Sequence, residues 1–282
     1  MMKRFNIALL ATVAAQAAEH GEAHEETLPE VIMHHISNGA VEYSFLAPFE
    51  PFFEHWGITK AVLMMIVASV VLIVLLGIFL GSARAGSSAP KGMANALEAI
   101  VLFVRDDIAI ANMGDTWGRR FTPFLLTLFF FILTCNLLGL VPGGYTATSN
   151  LNVTAALAIL AFLTFVLSGM VALGPIGYFK HMVPHGTPLG IAPVVVALET
   201  ISVLVRPVAL MIRLGANMTA GHIVILIILG FIFMFQSVAL SVISIPLAVA
   251  ITLLELIVAF IQAYVFTLLT ALYVGMVVHT SH

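Results

Sequence analysis

The seventeen residues from Arg206 to His222, RPVALMIRLGANMTAGH, place two arginines, an amide and an imidazole inside an otherwise apolar run. An arginine stays protonated at physiological pH, so it cannot become neutral in order to enter lipid. A membrane protein therefore keeps an arginine at depth only where it faces a partner, a cavity or water. Long apolar stretches flank Arg213, which favours that interpretation for this residue. For Arg206 a second interpretation is equally good, in which its side chain extends along the helix to the lipid headgroups.

The composition is that of an integral membrane protein. Of the 282 residues, 61% are hydrophobic and only 9% are charged, which is far from the balance of soluble domains. The net charge of -3 and the lack of a basic patch with interleaved aromatic residues argue against a nucleic-acid partner. A single cysteine, Cys135, excludes a disulfide framework and a cysteine metal site.

The first 58 residues are predicted to precede the membrane domain. Residues 1–18 combine basic residues, an apolar run and a small-residue end, which is typical of a signal peptide, although an uncleaved anchor gives the same pattern. Residues 19–58 form an acidic, histidine-containing segment, which either interpretation delivers to the outer side. His20 and His24 have the spacing of metal ligands on a helix, but a solvated acidic tail explains them better, so we predict no metal site.

Five apolar runs follow in a membrane domain at 59–282, and each is long enough to cross a hydrocarbon core of roughly 30 Å. They are Ala61–Leu80, Phe121–Val141, Leu151–Leu173, 189–235 and 242–279. Charged residues interrupt a further helical segment at 95–110, which is predicted to lie in the membrane interface. The sequence thus predicts an all-α integral membrane protein with five membrane-crossing helices and one interfacial helix.

Basic residues are unevenly distributed between the loops. If the acidic segment is outside, the outer side keeps only Lys60, whereas the inner loops carry Arg84, Lys91, Arg105, Arg119, Arg120 and Lys180. This distribution agrees with the positive-inside rule. We therefore expect a multi-pass protein of a bacterial inner membrane, with its N-terminus outside and its C-terminus inside.

The last two apolar segments are about twice as long as a membrane is thick, because each would run roughly 55–70 Å as a helix. They are predicted to be strongly tilted, bent or broken, with Pro193, Pro207 and Pro246 as candidate bending points. We expect them to form an antiparallel hairpin. If the turn lies near 238–239, residues whose numbers sum to about 477 lie side by side, which places His222 beside Glu255.

Polar residues recur on one face of the segment at 189–235. Glu199, Arg206 and Arg213 are seven residues apart and share one stripe of a helix, which Asn217 joins. The same hairpin register places Gln262 beside this stripe, between Arg213 and Asn217. Every buried polar residue then has a polar neighbour, as a buried charge requires.

A histidine and a carboxylate in contact at membrane depth form a proton relay, because an imidazole titrates near neutral pH. Arg213 cannot release its proton, but its charge raises a barrier to a passing cation. The chain offers Arg213 no carboxylate at its own level. The sequence therefore predicts that the partner of Arg213 belongs to another subunit.

Three stretches closely resemble the a subunit of F-type ATP synthases, which is the stator half of the membrane proton path. They are RLGANMTAGH at 213–222 with Arg206 and Pro207 before it, FILTCNLLGLVP at 131–142, and the ending from Glu255 through Gln262 to Tyr273. The resemblance covers roughly residues 45–280 in order. It leaves the signal and the acidic segment outside.

The resemblance implies that Arg213 faces the carboxylates of a rotating c-ring and separates two aqueous half-channels. Glu199 would line the inner half-channel, and Arg206 would lie near the inner surface, which favours its extension to the headgroups. The residues of the outer half-channel would be Asn217, His222, Glu255 and Gln262. In some family members the acid and the histidine occupy each other's positions, with the acid after the Ala-Gly pair and the histidine in the last helix. This chain has His222 and Glu255 instead. The implied partners are the c-ring, peripheral-stalk b subunits and other ATP synthase subunits.

Two further functions fit parts of the pattern. A self-contained proton-coupled secondary transporter would use the polar stripe as a substrate site, but such proteins often show internal repeats, which are absent here. A structural membrane subunit would use the same polar residues only to bond helices together. The sequence has no phosphate-binding glycine loop and no nucleophile elbow. We therefore predict no cofactor and no ATP hydrolysis by this chain itself.

Overall fold

The structure is a computed structural model that describes residues 37–39, 50–84, 93–141, 144–181, 191–235 and 238–279. The predicted signal peptide and most of the acidic segment, including His20 and His24, lie outside the described residues. All regular structure in these ranges is helical, which confirms the all-α class. Five stretches are long and apolar enough to cross a membrane, as predicted.

The helices follow one another with short connections. In chain order they are α1 (Glu50–His55), α2 (Lys60–Arg84), α3 (Met93–Phe103), a π-helix (Val104–Ile110), α4 (Ala111–Gly139), a 3₁₀ turn (Ala147–Ser149), α5 (Leu151–Leu173), α6 (Pro175–His181), α7 (Ala192–Phe235) and α8 (Val238–His279). An α-helix satisfies its own backbone polar groups, so uninterrupted apolar runs become helices in lipid. The bounds of α5 are those predicted from the sequence.

The boundary between the predicted interfacial helix and the second crossing segment lies earlier than the sequence indicates. Helical structure continues from α3 through the π-helix into α4, and its one non-helical position is Gly114, with φ 74° and ψ 171°. That conformation is almost restricted to glycine. The helix therefore restarts after Gly114, before the predicted start at Phe121. Arg119 donates to Asp115 across one turn, which helps a polar stretch remain helical.

A glycine and a proline close α5, as the sequence predicts. Gly174 follows the last residue of α5 with φ 73°, the left-handed conformation that commonly ends a helix. Pro175 then begins α6, where a missing backbone N–H costs nothing. The short helix α6 brings Tyr178 back against the ring of Phe165 in α5, with ring centroids 6.4 Å apart.

The two longest helices are unbroken. α7 has 44 residues and contains Pro207, and α8 has 42 residues and contains Pro246. The alternative that these segments are broken is therefore wrong for the described residues. Each helix is about 65 Å long at a rise of about 1.5 Å per residue. Their tilt and their hairpin arrangement stay predictions. The turn that the sequence predicts near 238–239 is misplaced, because these residues already belong to α8, and residues 236–237 lie outside the described residues.

The chain divides into two compact units, and several helices contribute to both. The first unit comprises Met1–Val70, Leu133–Asn150 and Gly215–Phe260, and the second comprises Val71–Ile132, Leu151–Leu214 and Ile261–His282.

Each unit has a distinct feature in its interior. In the first unit, residues 145–148 of the connection between α4 and α5 are buried: Thr146 is 1% exposed and Thr148 is fully buried. In the second unit, a small residue permits a close approach of two backbones, because a Cβ on Gly275 would overlap the carbonyl oxygen of Asn112. Small residues serve the same purpose at many helix contacts in membranes.

Candidate functional site

A histidine and a carboxylate meet in the first unit, where α7 and α8 supply one side chain each. His222 Nδ1 lies 3.5 Å from Glu255 Oε1. The Glu255 side chain is only 3% exposed and that of His222 is 22% exposed. The predicted pairing of these two residues, which are 33 positions apart along the chain, is therefore present.

The other ring nitrogen of His222 fixes which tautomer is present. Nε2 lies 3.1 Å from the carbonyl oxygen of Gly139 and 3.2 Å from Thr146 Oγ1. A carbonyl oxygen can only accept a hydrogen bond, so Nε2 carries the hydrogen and Nδ1 has the lone pair when the ring is neutral. The lone pair of a neutral His222 thus faces the Glu255 carboxyl group.

This arrangement can hold one exchangeable proton. Within the described residues, His222 Nδ1 and both Glu255 oxygens are buried and have no hydrogen-bond partner. Two acceptors facing each other in a buried place are unfavourable, and a buried charge without a partner is more so. A proton on either Nδ1 or Oε1 removes the conflict. The pair therefore has the chemistry of a relay that receives a proton on one group and returns it from the other.

Gly221 makes room for the carboxyl group. A Cβ at this position would overlap Glu255 Oε1 and would contact Cδ at 2.7 Å. The glycine next to His222 is thus required by the close approach of α8. It lets the carboxyl group of Glu255 lie against the backbone of α7, within reach of the imidazole on the following residue.

The buried connection between α4 and α5 supplies the remaining contacts of this site. Thr148 donates to Asn136 Oδ1, and Asn136 Nδ2 donates to the carbonyl oxygen of Ala259 at 3.4 Å. Thr219 Oγ1 lies 3.2 Å from the carbonyl oxygen of Ser149 and 2.8 Å from that of Gly215, so these two acceptors share its one hydrogen. These contacts attach the connection to α7 directly and to α8 through Asn136 of α4, within the first unit. They hold Thr146 against the imidazole of His222.

A second polar pair lies in the second unit, where Glu199 and Arg206 are two turns apart on α7. Arg206 Nη2 is 3.7 Å from Glu199 Oε1. The guanidinium carbon lies 5.6 Å from the ring centroid of Phe165 in α5 and 5.2 Å from that of Tyr273 in α8. The Arg206 side chain is 23% exposed. Two aromatic rings and a carboxylate thus contact the guanidinium, and its expected extension to the headgroups stays a prediction.

Within the described part of the chain, Arg213 lacks the ion pair, the aromatic contacts and the partial burial of Arg206. It is exposed, and so are its neighbours Ile212 and Ala216. Among the residues that the structure describes, Arg213 makes no hydrogen bond and no ion pair. A permanent cation thus stands on an exposed face of α7 that is otherwise largely apolar, as the exposed side chains of Val205, Ile212 and Ala216 show.

The two amide side chains of the predicted site have contrasting surroundings. Asn217 is exposed on α7, four residues beyond Arg213, whereas Gln262 is 3% exposed on α8. Each takes part in an interaction of its own. The described part of the chain contains no group of three or more side chains that could hold a metal ion.

The sequence analysis missed the hydroxyl and aromatic residues around both pairs. An uncharged stretch between two spans, GYTATSN at 144–150, could have identified the polar connection, and a lone amide in an apolar helix could have identified Asn136. Phe165 and Tyr273 gave no such signal, because aromatic residues occur throughout the apolar runs.

Comparison with known proteins identifies close relatives. The family model ATP synthase A chain matches residues 62–275, a range that includes all the predicted site residues. ATP synthase subunit a of Anaeromyxobacter dehalogenans is 40% identical over 289 residues, covering 93% of this chain and 75% of that protein. The protein of the same name from Myxococcus xanthus is 47% identical over 226 residues, covering 80% and 74%. That of Chloroherpeton thalassium is 45% identical over 261 residues, covering 89% and 77%.

Proposed function

The chain belongs to the ATP synthase A chain family, and from this premise we propose that it is the proton-translocating stator subunit of an F-type ATP synthase. It is a multi-pass membrane protein whose partners are other subunits of the synthase. In this proposal, it forms two offset half-channels against a rotor ring and couples proton flow to ATP synthesis.

The exposure of Arg213 is the observation that carries the proposal. A fixed positive charge on an exposed, largely apolar helix face, without an ion pair among the described residues, calls for an anion from another molecule. A ring of rotor subunits that presents carboxylates at membrane depth would supply one. Arg213 would attract each carboxylate in turn and would block protons from passing directly between the half-channels.

The two polar pairs support two separate roles in the proton path. His222 and Glu255 would carry protons in the outer half-channel, with Thr146 holding the imidazole and with Asn217 and Gln262 as further polar positions. Glu199 would receive or deliver protons in the inner half-channel, where its side chain is 44% exposed.

The orientation and the specific partners belong to the same proposal. The excess of basic residues in the segments at 81–120 and 175–190 supports an inner location for those segments. The N-terminus would then be outside and the C-terminus inside a bacterial inner membrane. The c-ring would face Arg213, and peripheral-stalk b subunits would contact the chain elsewhere.

The test is ATP-driven proton pumping by the whole synthase in inverted membrane vesicles. We expect Arg213→Ala to abolish pumping while the amount of assembled complex stays normal. Arg119→Ala is the matched control, because Arg119 is exposed and ion-paired to Asp115 and should leave pumping unchanged. Normal pumping by the Arg213→Ala vesicles would exclude the proposed function.

The alternative of a purely structural subunit makes a different prediction for the His222–Glu255 pair. It expects His222→Ala and Glu255→Ala to destabilise the complex without changing proton flux per assembled complex. The proton-path proposal expects both substitutions to lower that flux.

A further inference from the structure

Arg206 occupies a site that the proton path of the proposed function does not explain. Its guanidinium is half-buried among a carboxylate and two aromatic rings, and the rings come from two different helices, α5 and α8. We call Phe165 and Tyr273 the aromatic clamp. A guanidinium cannot escape burial by losing its proton, so its surroundings must compensate for lost hydration.

The aromatic clamp provides part of that compensation. Both centroid distances, 5.6 Å to Phe165 and 5.2 Å to Tyr273, are within the range of favourable cation–π contact. Phe165 is itself held in place, since it is 4% exposed and packs against the ring of Tyr178. Arg206 therefore contacts a rigid surface on one side of its site.

The contact with Glu199 is of a different kind. The separation of 3.7 Å between Nη2 and Oε1 is within ion-pair range but beyond a hydrogen bond. Glu199 has a 44% exposed side chain, so its carboxyl group stays accessible while a fixed charge stands beside it. Such a contact orients the carboxyl group without covering it.

We infer that Arg206 is a positioning residue that holds the Glu199 carboxyl group in place for proton transfer, and that the aromatic clamp holds Arg206. This inference rests on the proposed function, in which Glu199 serves the inner half-channel. It assigns to the rings of Phe165 and Tyr273 a role in proton flow that they exert through Arg206.

The experiment measures ATP-driven pumping per assembled complex in vesicles that contain the whole synthase. Arg206→Gln removes the charge and should lower pumping about tenfold, whereas Arg206→Lys keeps the charge and should restore part of the loss. Tyr273→Leu should lower pumping about threefold to tenfold, and Tyr273→Phe, which keeps the ring, should pump like the parent.

Tyr264→Leu is the matched control for the aromatic clamp. Tyr264 lies on the same helix as Tyr273, but its ring packs against Phe103, with centroids 5.7 Å apart. No arginine of the described residues makes a cation–π contact with it. Removal of that ring tests the general cost of losing an aromatic residue from α8. We expect its pumping per assembled complex to stay at the parental level.

Double variants separate positioning from general packing. If Tyr273 acts through Arg206, then Arg206→Gln combined with Tyr273→Leu should pump no less than Arg206→Gln alone. If Arg206 acts through Glu199, Glu199→Asp, which draws the carboxyl group back by one methylene, should remove most of the effect of Arg206→Gln. Losses that multiply in the first double variant would overturn the inference, as would normal pumping by Arg206→Gln or equal losses from Tyr264→Leu and Tyr273→Leu.

A failure of the positioning role of Arg206 can be distinguished from a failure of the proposed function. If Arg213→Ala abolishes pumping while Arg206→Gln has no effect, the stator function stands and only the positioning role falls. If the Arg213→Ala vesicles pump normally, the stator function itself falls.

Discussion

At the scale of single residues, the absence of a side chain at Gly221 sets where the Glu255 carboxyl group can lie. A Cβ there would overlap Oε1, so the carboxyl group would have to move away from the imidazole of His222. A shift of even about 1 Å at a proton-transfer site costs a large factor in rate. The glycine thus acts on the chemistry through geometry alone.

We expect Gly221→Ala to lower proton pumping per assembled complex at least tenfold and to destabilise the chain by about 1–3 kcal/mol, the usual cost of an overpacked interior. The measurements are pumping in vesicles and the thermal midpoint of the complex. Gly77→Ala on α2 is the control, because a Cβ at Gly77 has no heavy atom within 4 Å.

A second substitution tests whether the effect of Gly221→Ala comes from its overlap with Glu255. In a Glu255→Ala background the carboxyl group is gone, so Gly221→Ala should no longer lower the thermal midpoint. A destabilisation that persists in that background would show that Gly221 is needed for something other than Glu255.

The sequence could predict the His222–Glu255 pair. In an antiparallel hairpin where the numbers of facing residues sum to about 477, these two polar residues lie side by side in apolar helices. The same register points to Ala271 opposite Arg206, and the observed contact of Arg206 is with Tyr273, two residues further along. It could not predict Thr146 or Phe165. Those contacts depend on how a connection and a third helix pack, and the apolar pattern of a membrane helix does not encode that.

At the scale of elements, α4 contains the one strained position that the described residues show inside a helix. Gly114 has φ 74° and ψ 171°, a combination that residues with a Cβ essentially never adopt. Ile108 and Met113, which precede Gly114, are fully or almost fully buried, so the chain before the break cannot relax by moving outward. The break in direction at Gly114 is thus fixed by both the backbone and the packing.

We expect Gly114→Ala to lower the free energy of unfolding by about 1–3 kcal/mol, because alanine pays a backbone penalty in this conformation. Gly177→Ala in α6 is the control, since a Cβ there would make an ordinary contact of 3.5 Å with Leu173. Thermal unfolding of the detergent-solubilised complex measures both. An equal midpoint for the two variants would contradict the prediction.

Helix existence was predictable because uncharged runs of twenty or more residues have no alternative structure in lipid. The start of α4 was not, because the charged residues at 105–120 look like a loop in the sequence. In the structure two of them, Asp115 and Arg119, form an ion pair along the helix and so remain compatible with it. Two opposite charges four residues apart in such a stretch are the signal that could have predicted the longer helix.

At the scale of the whole molecule, the chain leaves much apolar surface uncovered. In an apolar run of 18 residues within α7 only 6% of the residues are buried, against 50% in such a run of the stretch that contains α4. Lipid covers part of such a surface, but an exposed Arg213 on the same helix is unfavourable against lipid. The exposed face of α7 therefore fits a protein neighbour.

We expect the chain purified alone in detergent to unfold at a temperature at least about 5 °C below that of the same chain in the assembled synthase, since a partner that binds only the folded state raises its stability. The measurement is the thermal midpoint followed on a tagged chain in both preparations. Equal midpoints would mean that no partner covers a substantial part of its surface.

The buried connection between α4 and α5 has a consequence for biogenesis. The Ser149 carbonyl and the Thr146 hydroxyl find their partners on α7, at Thr219 and His222, 70 and 76 residues later. At about 5–20 residues per second of synthesis, these two groups wait several seconds for α7. The nascent chain must therefore keep a carbonyl and a hydroxyl group hydrated, or sheltered by the insertion machinery, until that helix arrives.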